Sequence, residues 1–171
     1  MSLDLYLETE KPIKHKRGEA KGNYSDCGGG YTKALSYEEV KKLWPNAELP
    51  YEPDDEYEDN EWYWANITHN LTKMASHTPC LNGKNLYDLL WNPNENGFGY
   101  VTEEYQKGIE EGLIYLVTHK EELEQYNPPI DPETGQRWGE YITLVDFTKA
   151  YLIALSSYPY KEEKLKIYAS V

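Results

Sequence analysis

The sequence predicts an α+β protein: a small antiparallel or mixed sheet of N-terminal, central and C-terminal strands, with about four to five helices packed on it. Three observations predict this class. Both ends of the chain alternate apolar and polar residues, the middle contains a run of aromatic and β-branched residues, and the stretches between carry apolar residues at helical spacing. A chain of 171 residues is long enough for one domain with a core and too short for two ordinary ones. We therefore expect residues 1–171 to form a single domain.

The strands are predicted from patterns with a period of two. In residues 3–8, leucines alternate with Asp4, Tyr6 and Glu8, which is typical of a half-buried strand. Residues 164–170 alternate in the same way, with lysines on the polar side. Because acids on one strand attract lysines on a neighbouring strand, the two termini are predicted to pair in one sheet. The aromatic run at 62–67 predicts a central strand.

Capping residues mark the predicted helices. One helix is expected to begin between residues 68 and 70, and another after Asn85, which can cap it. Thr102 is expected to cap the helix with the clearest sequence pattern, at about 103–118, and the last helix is expected at about 139–157. The residues expected on the buried sides of these last two helices are Ile109, Leu113, Leu116, Val117, Ile142, Val145, Leu152, Ile153 and Leu155.

Residues 10–58 are predicted to be an insertion or long loop region with one short helix. Residues 10–34 contain a basic run and a triple glycine, a composition typical of a loop. The lysine and threonine after the glycines stand in the wrong order for a phosphate-binding loop, so a flexible turn is favoured. Ser36 begins a capping box for the short helix, and Pro45 ends it.

The composition is strongly acidic: 17 Lys and Arg side chains oppose 30 Asp and Glu side chains, and the net charge is −13. Phosphate-binding surfaces require positive charge, so we expect no direct binding of nucleic acid and no binding to an anionic membrane. The N-terminal residues do not resemble a signal peptide, and no apolar run approaches the ~18 residues that span a bilayer. The two cysteines lack metal-binding spacing. A cytoplasmic protein without a cofactor is the expectation.

The densest polar motif is Asn66-Ile-Thr-His-Asn70, where the predicted central strand meets a helix. Such junctions are common ligand sites, and the motif supplies amide, hydroxyl and imidazole groups. A nucleotide ligand would also need positive charge from Lys73, Lys84 or the 14–17 run. The alternative is that Thr68 or Asn70 is a helix N-cap and that His69 is a partly buried structural residue. The predicted ligand-binding residues are Asn66, Thr68, His69 and Asn70, with Trp62 and Trp64 stacking on the ligand.

An acidic stretch forms the second candidate site. Seven of the ten residues in 52–61 carry a carboxylate, and the stretch lacks the glycine of an EF-hand loop. Such a stretch could imitate a line of phosphates and fill a basic groove on a partner, or it could be a solvated acidic loop. The predicted partner-binding residues are Asp54, Asp55, Glu56, Glu58 and Asp59.

Three stretches together resemble an uncharacterised family of small phage and prophage proteins: residues 2–7, residues 63–75 and residues 86–93. The Asn-Ile-Thr-His-Asn string is the most specific part, and the resemblance covers residues 2–8 and 61–171. Residues 10–58 are longer than the usual link between the first strand and this motif. The family supplies no activity to transfer. The resemblance implies a phage-type context in the host cytoplasm and hence a role in host interaction.

The leading hypothesis is a non-enzymatic phage-type binding protein, such as a counter-defence factor that sequesters a small nucleotide-like ligand or blocks a host protein. One alternative is an acidic nucleic-acid mimic that inhibits a DNA-binding or RNA-binding host protein. Another is a metal-dependent hydrolase that uses His69, although His77 is two helical turns away and too far to share one ion. No nucleophile motif such as GxSxG is present. The wealth of aromatic residues also permits a homo-oligomer.

Overall fold

The computed structural model describes residues 2–14, 19–25, 28–36, 39, 42, 45 and 58–170. Their centre is a five-stranded sheet in the order β2-β3-β4-β1-β5, in which all neighbouring strands are antiparallel. The α+β class is thus confirmed. The strands are β1 (Ser2–Lys14), β2 (Glu19–Ser25), β3 (Gly28–Ser36), β4 (Glu58–Thr68) and β5 (Leu165–Ser170).

Helices lie between β4 and β5 in the sequence. A 3₁₀ turn, His69–Leu71, follows β4 directly, and a second one is Leu81–Gly83. Asn85 and Thr102 cap their helices as predicted. The α-helices of the described residues are α1 (Thr72–Ser76), α2 (Leu86–Leu90), α3 (Glu103–Thr118), α4 (Lys120–Glu124) and α5 (Tyr141–Ser156).

The two ends of the chain meet in the sheet, which confirms that prediction. β1 pairs with β5 so that Leu5 is opposite Ala169 and Glu8 is opposite Lys166. The acid on the first strand and the lysine on the last strand therefore face each other across the ladder. On its other side β1 pairs with β4, so the N-terminal strand is an interior strand.

The prediction of a loop over residues 10–34 was wrong. β1 continues to Lys14, and β2 and β3 form an antiparallel pair that extends the sheet beyond β4. Glycines and charged residues interrupt the alternation of apolar and polar residues in this segment. Its strands form because neighbouring strands pair with it, which outweighs the weak intrinsic preference of these residues for strands. Ser36, predicted to cap a helix, is the last residue of β3. The predicted short helix lies largely outside the described residues.

The core lies between the sheet and the helices. The inward-facing side chains of β1 and β4 are fully buried, and α5 packs against β2, β3 and β4. Two of the side chains predicted to be buried are exposed: Val117 on α3 and Ile142 on α5. Apolar residues occur on most sides of α5, so periodicity does not indicate which side faces the core. The inward-facing strand residues are Leu3, Leu5, Leu7, Tyr63, Ala65 and Ile67.

A β-bulge near the start of β4 determines on which face of the sheet the Trp62 side chain lies. Leu7 is opposite Tyr63 and Glu8 is opposite Glu61, so Trp62 is an extra residue in the ladder. The Trp62 Nε1–H donates to the Ala154 carbonyl oxygen of α5 at 2.8 Å. Trp62 therefore packs on the helix side of the sheet, as Tyr63 does.

A loop covers part of the outer edge of β5. The Val101 backbone N–H donates to the Leu165 carbonyl at 2.9 Å, and the Ile167 N–H donates to the Gly99 carbonyl at 2.9 Å. An edge strand with its backbone groups paired in this way cannot recruit another strand at these residues. Within the described part of the chain, no helix has the length and apolar character needed to cross a membrane.

Candidate functional site

The polar motif at the end of β4 is divided among three environments. Asn66 lies on the sheet face opposite to the helices, where its side-chain N–H donates to Asp4 Oδ1 at 2.7 Å. Trp64 lies on the same face as Asn66, whereas Trp62 packs on α5. The predicted cluster of all six ligand-binding residues around one ligand is therefore not present.

Thr68 acts as a cap. Its side-chain oxygen accepts from the Asn70 backbone N–H at 3.2 Å, at the start of the 3₁₀ turn. This satisfies a donor that the turn leaves without a partner. The structural interpretation of Thr68 is the correct one.

His69 turns toward α2 and the aromatic residue that follows it. The Trp91 Nε1–H donates to His69 Nδ1 at 3.1 Å, so this nitrogen carries no proton and the neutral ring bears its proton on Nε2. His69 Nε2 is buried and has no hydrogen-bond partner among the described residues. Trp91 is in turn stacked on Tyr87, with ring centroids 5.9 Å apart. His69 is a partly buried bridge between the motif and α2.

The described residues contain no set of metal ligands that would support the hypothesis of a metal-dependent hydrolase using His69. No group of three or more His, Cys, Asp and Glu side chains there is arranged to hold a metal ion. His77 is directed elsewhere and stacks on Tyr126, with ring centroids 4.1 Å apart. His69 and His77 therefore do not converge.

Asn70, the last residue of the motif, lines a surface groove. The groove has a volume of about 360 Å³ and lies between the 3₁₀ turn, α1 and the loop that precedes α5. This is near the lower end of the range of about 300–1,000 Å³ that small-molecule sites occupy. The groove residues are Asn70, Lys73, Gln125, Tyr126, Asn127, Pro128, Pro129 and Trp138.

Specific contacts hold the walls of the groove in place. The Asn70 side-chain N–H donates to the Trp138 carbonyl at 3.2 Å. The Tyr141 backbone N–H, at the start of α5, donates to Asn127 Oδ1 at 2.8 Å. Gly139 has φ of +97°, and a Cβ there would lie 2.7 Å from the Thr68 Cγ2. These contacts hold the loop that carries Trp138 against the motif.

The groove combines ring surfaces, amides and one cation. The Trp138 side chain is 48% exposed, and Tyr126 is half-buried. Lys73 Nζ lies 5.7 Å from the centroid of the Tyr126 ring. Among the described groove residues Lys73 is the single charged side chain, although the chain as a whole has a net charge of −13. An anion is therefore less disfavoured here than on the acidic surface elsewhere.

Of the cations predicted to join the motif, Lys73 is beside it and Lys84 is not. The Lys84 ammonium instead donates to Asn96 Oδ1 at 3.3 Å. The side chains of the 14–17 run lie outside the described part of the structure. Among the described side chains of the three predicted sources of positive charge, Lys73 alone lies beside the motif.

Two of the predicted partner-binding acids are part of the sheet. Glu58 and Asp59 begin β4, where Glu58 is opposite Lys14 in the ladder. Asp59 Oδ1 accepts from the Glu61 backbone N–H at 3.0 Å. These two acids are strand residues and not members of a solvated loop. Asp54, Asp55 and Glu56 lie outside the described residues.

Sequence reasoning missed the second wall of the groove. Trp138, Tyr126 and the two prolines lie more than fifty residues after the motif, in a part of the chain for which no site was predicted. The signal that could have indicated them is a tryptophan in a proline-rich loop, because binding residues lie disproportionately on loops. No family model, curated protein or solved structure matches this chain.

Proposed function

We propose that this chain is a non-enzymatic binding protein that captures a small, planar, anionic ligand of nucleotide-like chemistry in the groove beside Asn70. The observation that carries the proposal is the groove itself, where a half-exposed indole, several amides and one lysine meet in a strongly acidic protein. Aromatic faces stack with bases of any sequence, amides hydrogen-bond to base edges, and an ammonium pairs with a phosphate. In a phage-type context, such capture would act as counter-defence by withdrawing the ligand from the host.

Each chemical group of such a ligand has a residue in the groove that would bind it. A base would stack on Trp138, whose side chain is 48% exposed. Gln125 and Asn70 provide donors and acceptors at the rim. Lys73 provides the positive charge for a phosphate, at a position beside the ring system. The sequestration role requires no catalytic group.

The test uses adenosine monophosphate as the probe, with adenosine and inorganic phosphate as its two halves. We expect the monophosphate to bind more tightly than either half, as measured by isothermal titration calorimetry. Trp138→Ala and Lys73→Ala should each weaken binding about tenfold or more, which corresponds to loss of one stacking or one ionic contact. Trp138→Phe should retain part of the affinity because it keeps an aromatic face.

A matched control separates the groove from general charge effects. Lys149→Ala removes an exposed lysine from α5 and changes the net charge by the same amount as Lys73→Ala. It should leave binding of the monophosphate unchanged. An equal loss of affinity for adenosine monophosphate in both lysine variants would contradict the proposal, and so would the absence of binding to the wild-type chain. In the second case the chain would be searched for a protein partner instead.

A further inference from the structure

A row of aromatic side chains crosses the sheet on the face opposite to the helices, here called the outer face. Strand register places Tyr168 of β5 opposite Tyr6 of β1, and Tyr6 opposite Trp64 of β4. These residues alternate with the buried leucines of β1, so their side chains point away from the core. The aromatic row is therefore a second surface, separate from the groove beside Asn70.

The members of the row contact one another. The rings of Tyr6 and Tyr168 have centroids 5.8 Å apart and are inclined by 43°. On the other side of Tyr6, the Trp64 indole lies close enough to the Tyr6 hydroxyl to offset part of the rise in the pKa of that hydroxyl. Tyr168 is 46% exposed at the outer end of the row. Adjacent strands hold all three positions, so the rings form a fixed strip.

Carboxylates flank this strip along both sides. Asp4 precedes Tyr6 on the outer face of β1, and Glu8 follows it, with Glu61 opposite Glu8 on β4. Burial raises the pKa of the Tyr6 hydroxyl, and the negative charges of Asp4 and Glu61 raise it further. Both carboxylates are therefore close enough to act on the ring. The outer face also carries Lys166, opposite Glu8, so acids outnumber the base among these residues.

This combination favours one class of occupant. A guanidinium group is planar and weakly hydrated, so it stacks on tyrosine and tryptophan faces while its N–H groups reach a neighbouring carboxylate. A nucleic acid would be repelled by the acids of the outer face. A second copy of this chain would bring another net charge of −13 to the same surface. Charge complementarity thus selects a basic partner.

We propose that the outer face of the sheet is a docking surface for an arginine-bearing peptide segment of a partner protein, with guanidinium groups stacked on the Tyr168–Tyr6–Trp64 strip and paired with the Asp4 carboxylate. The Asn66 side chain, whose N–H donates to Asp4 Oδ1 at 2.7 Å, positions that carboxylate beside the strip. This assigns to Asn66 a role that differs from ligand binding in the groove.

The experiment compares three synthetic peptides of one sequence that contain arginine, lysine or citrulline at alternating positions. Citrulline keeps the shape of arginine and lacks its charge. We expect the arginine peptide to bind most tightly, the lysine peptide more weakly and the citrulline peptide not measurably. The arginine peptide should also shift the backbone amide signals of β1, β4 and β5 in a heteronuclear NMR spectrum, and leave those of the groove unchanged.

Two variants test the surface without disturbing the core. Asp4→Asn keeps an oxygen that can accept from Asn66, and Tyr168→Ala removes a half-exposed ring near the end of β5. Each should weaken binding of the arginine peptide about fivefold to tenfold, as expected for one ion pair or one cation–π contact. Tyr168→Phe, which keeps the ring, should bind as the wild type does.

Two controls and three outcomes decide the proposal. Glu133→Gln removes one exposed carboxylate from the loop before α5, and Ile142→Ala removes an apolar side chain of similar exposure, 50%, from α5. Neither should change binding. Equal binding of the arginine and citrulline peptides would overturn the proposal, as would equal loss in Asp4→Asn and Glu133→Gln. Self-association that Tyr168→Ala abolishes would identify a second copy as the occupant and would also overturn it.

Discussion

At the scale of single residues, His69 shows why a polar motif in a sequence does not by itself define a ligand site. Its Nδ1 accepts a hydrogen bond from Trp91, and its ring lies between β4 and α2. The same string of residues supplies a cap at Thr68 and a groove contact at Asn70. Adjacent residues point in different directions where a strand ends and a helix begins, so sequence proximity does not produce spatial convergence here.

A second feature at the residue scale is the close contact of α3 with α2 at Gly112. A Cβ at this position would lie 2.4 Å from Leu86 Cδ2 and 2.9 Å from Cys80 Sγ. We expect Gly112→Ala to destabilise the fold by about 1–3 kcal/mol through overpacking, reduced by the about 1 kcal/mol that alanine gains in a helix. The free energy of unfolding, measured by urea denaturation, checks the expected decrease.

Gly99→Ala is the matched control for this substitution. The nearest atom to its added Cβ would be the Asn94 side-chain nitrogen at 3.8 Å, which is ordinary contact. This variant should stay within about 0.5 kcal/mol of the wild type. If Gly112→Ala proved as stable as Gly99→Ala, the close packing of α2 on α3 would be refuted.

At the scale of elements, one buried hydroxyl joins three helices. The Tyr105 hydroxyl of α3 donates to the Leu89 carbonyl of α2 at 2.7 Å, and it lies 2.8 Å from the Tyr151 hydroxyl of α5. Tyr105→Phe would leave both partners buried without this contact, so we expect a loss of about 1–3 kcal/mol in the free energy of unfolding. Chemical denaturation measures it.

Tyr100→Phe provides the comparison, because Tyr100 is about half exposed and water can replace any contact its hydroxyl loses. Its free energy of unfolding should change by less than about 0.5 kcal/mol. Equal stability of the two variants would show that the hydroxyl of Tyr105 does not hold the helices together.

The elements that the sequence predicts well are those that carry their own local signal. β4 was predicted from its aromatic run, and α3 from the Thr102 cap and an apolar stripe. β2 and β3 lack such a signal, and their glycine-rich and charged segments form strands through pairing, β3 with β4 and β2 with β3. The bulge at Trp62 is likewise invisible in the sequence, and it moves this side chain away from the predicted site. The groove escaped prediction because its two walls are distant in sequence.

At the scale of the whole molecule, tyrosine burial links stability to alkaline pH. Burial raises the pKa of each described tyrosine whose shift is resolved, and raises that of Tyr158 to about 12. The unfolded chain releases these protons near pH 10, whereas the folded chain retains them to higher pH. The affected residues are Tyr6, Tyr105, Tyr115, Tyr141, Tyr151, Tyr158 and Tyr160.

The sign of the effect follows from the proton balance. A raised pKa in the folded state contributes stability that is fully present below the unfolded value of about 10 and is lost as pH rises through the folded value. We expect the free energy of unfolding to fall steadily above about pH 10, and the added negative charge on a chain already at −13 to steepen the fall. Urea denaturation at a series of pH values, with tyrosinate absorbance recorded in parallel, measures the free energy of unfolding and the titration of the tyrosines.

Tyr158→Phe removes the hydroxyl that donates to Glu163 Oε2 at 3.0 Å, and it should make the decline of the free energy of unfolding with pH shallower. A free energy of unfolding that stays constant between about pH 10 and 12 would show that the folded and unfolded tyrosines titrate alike.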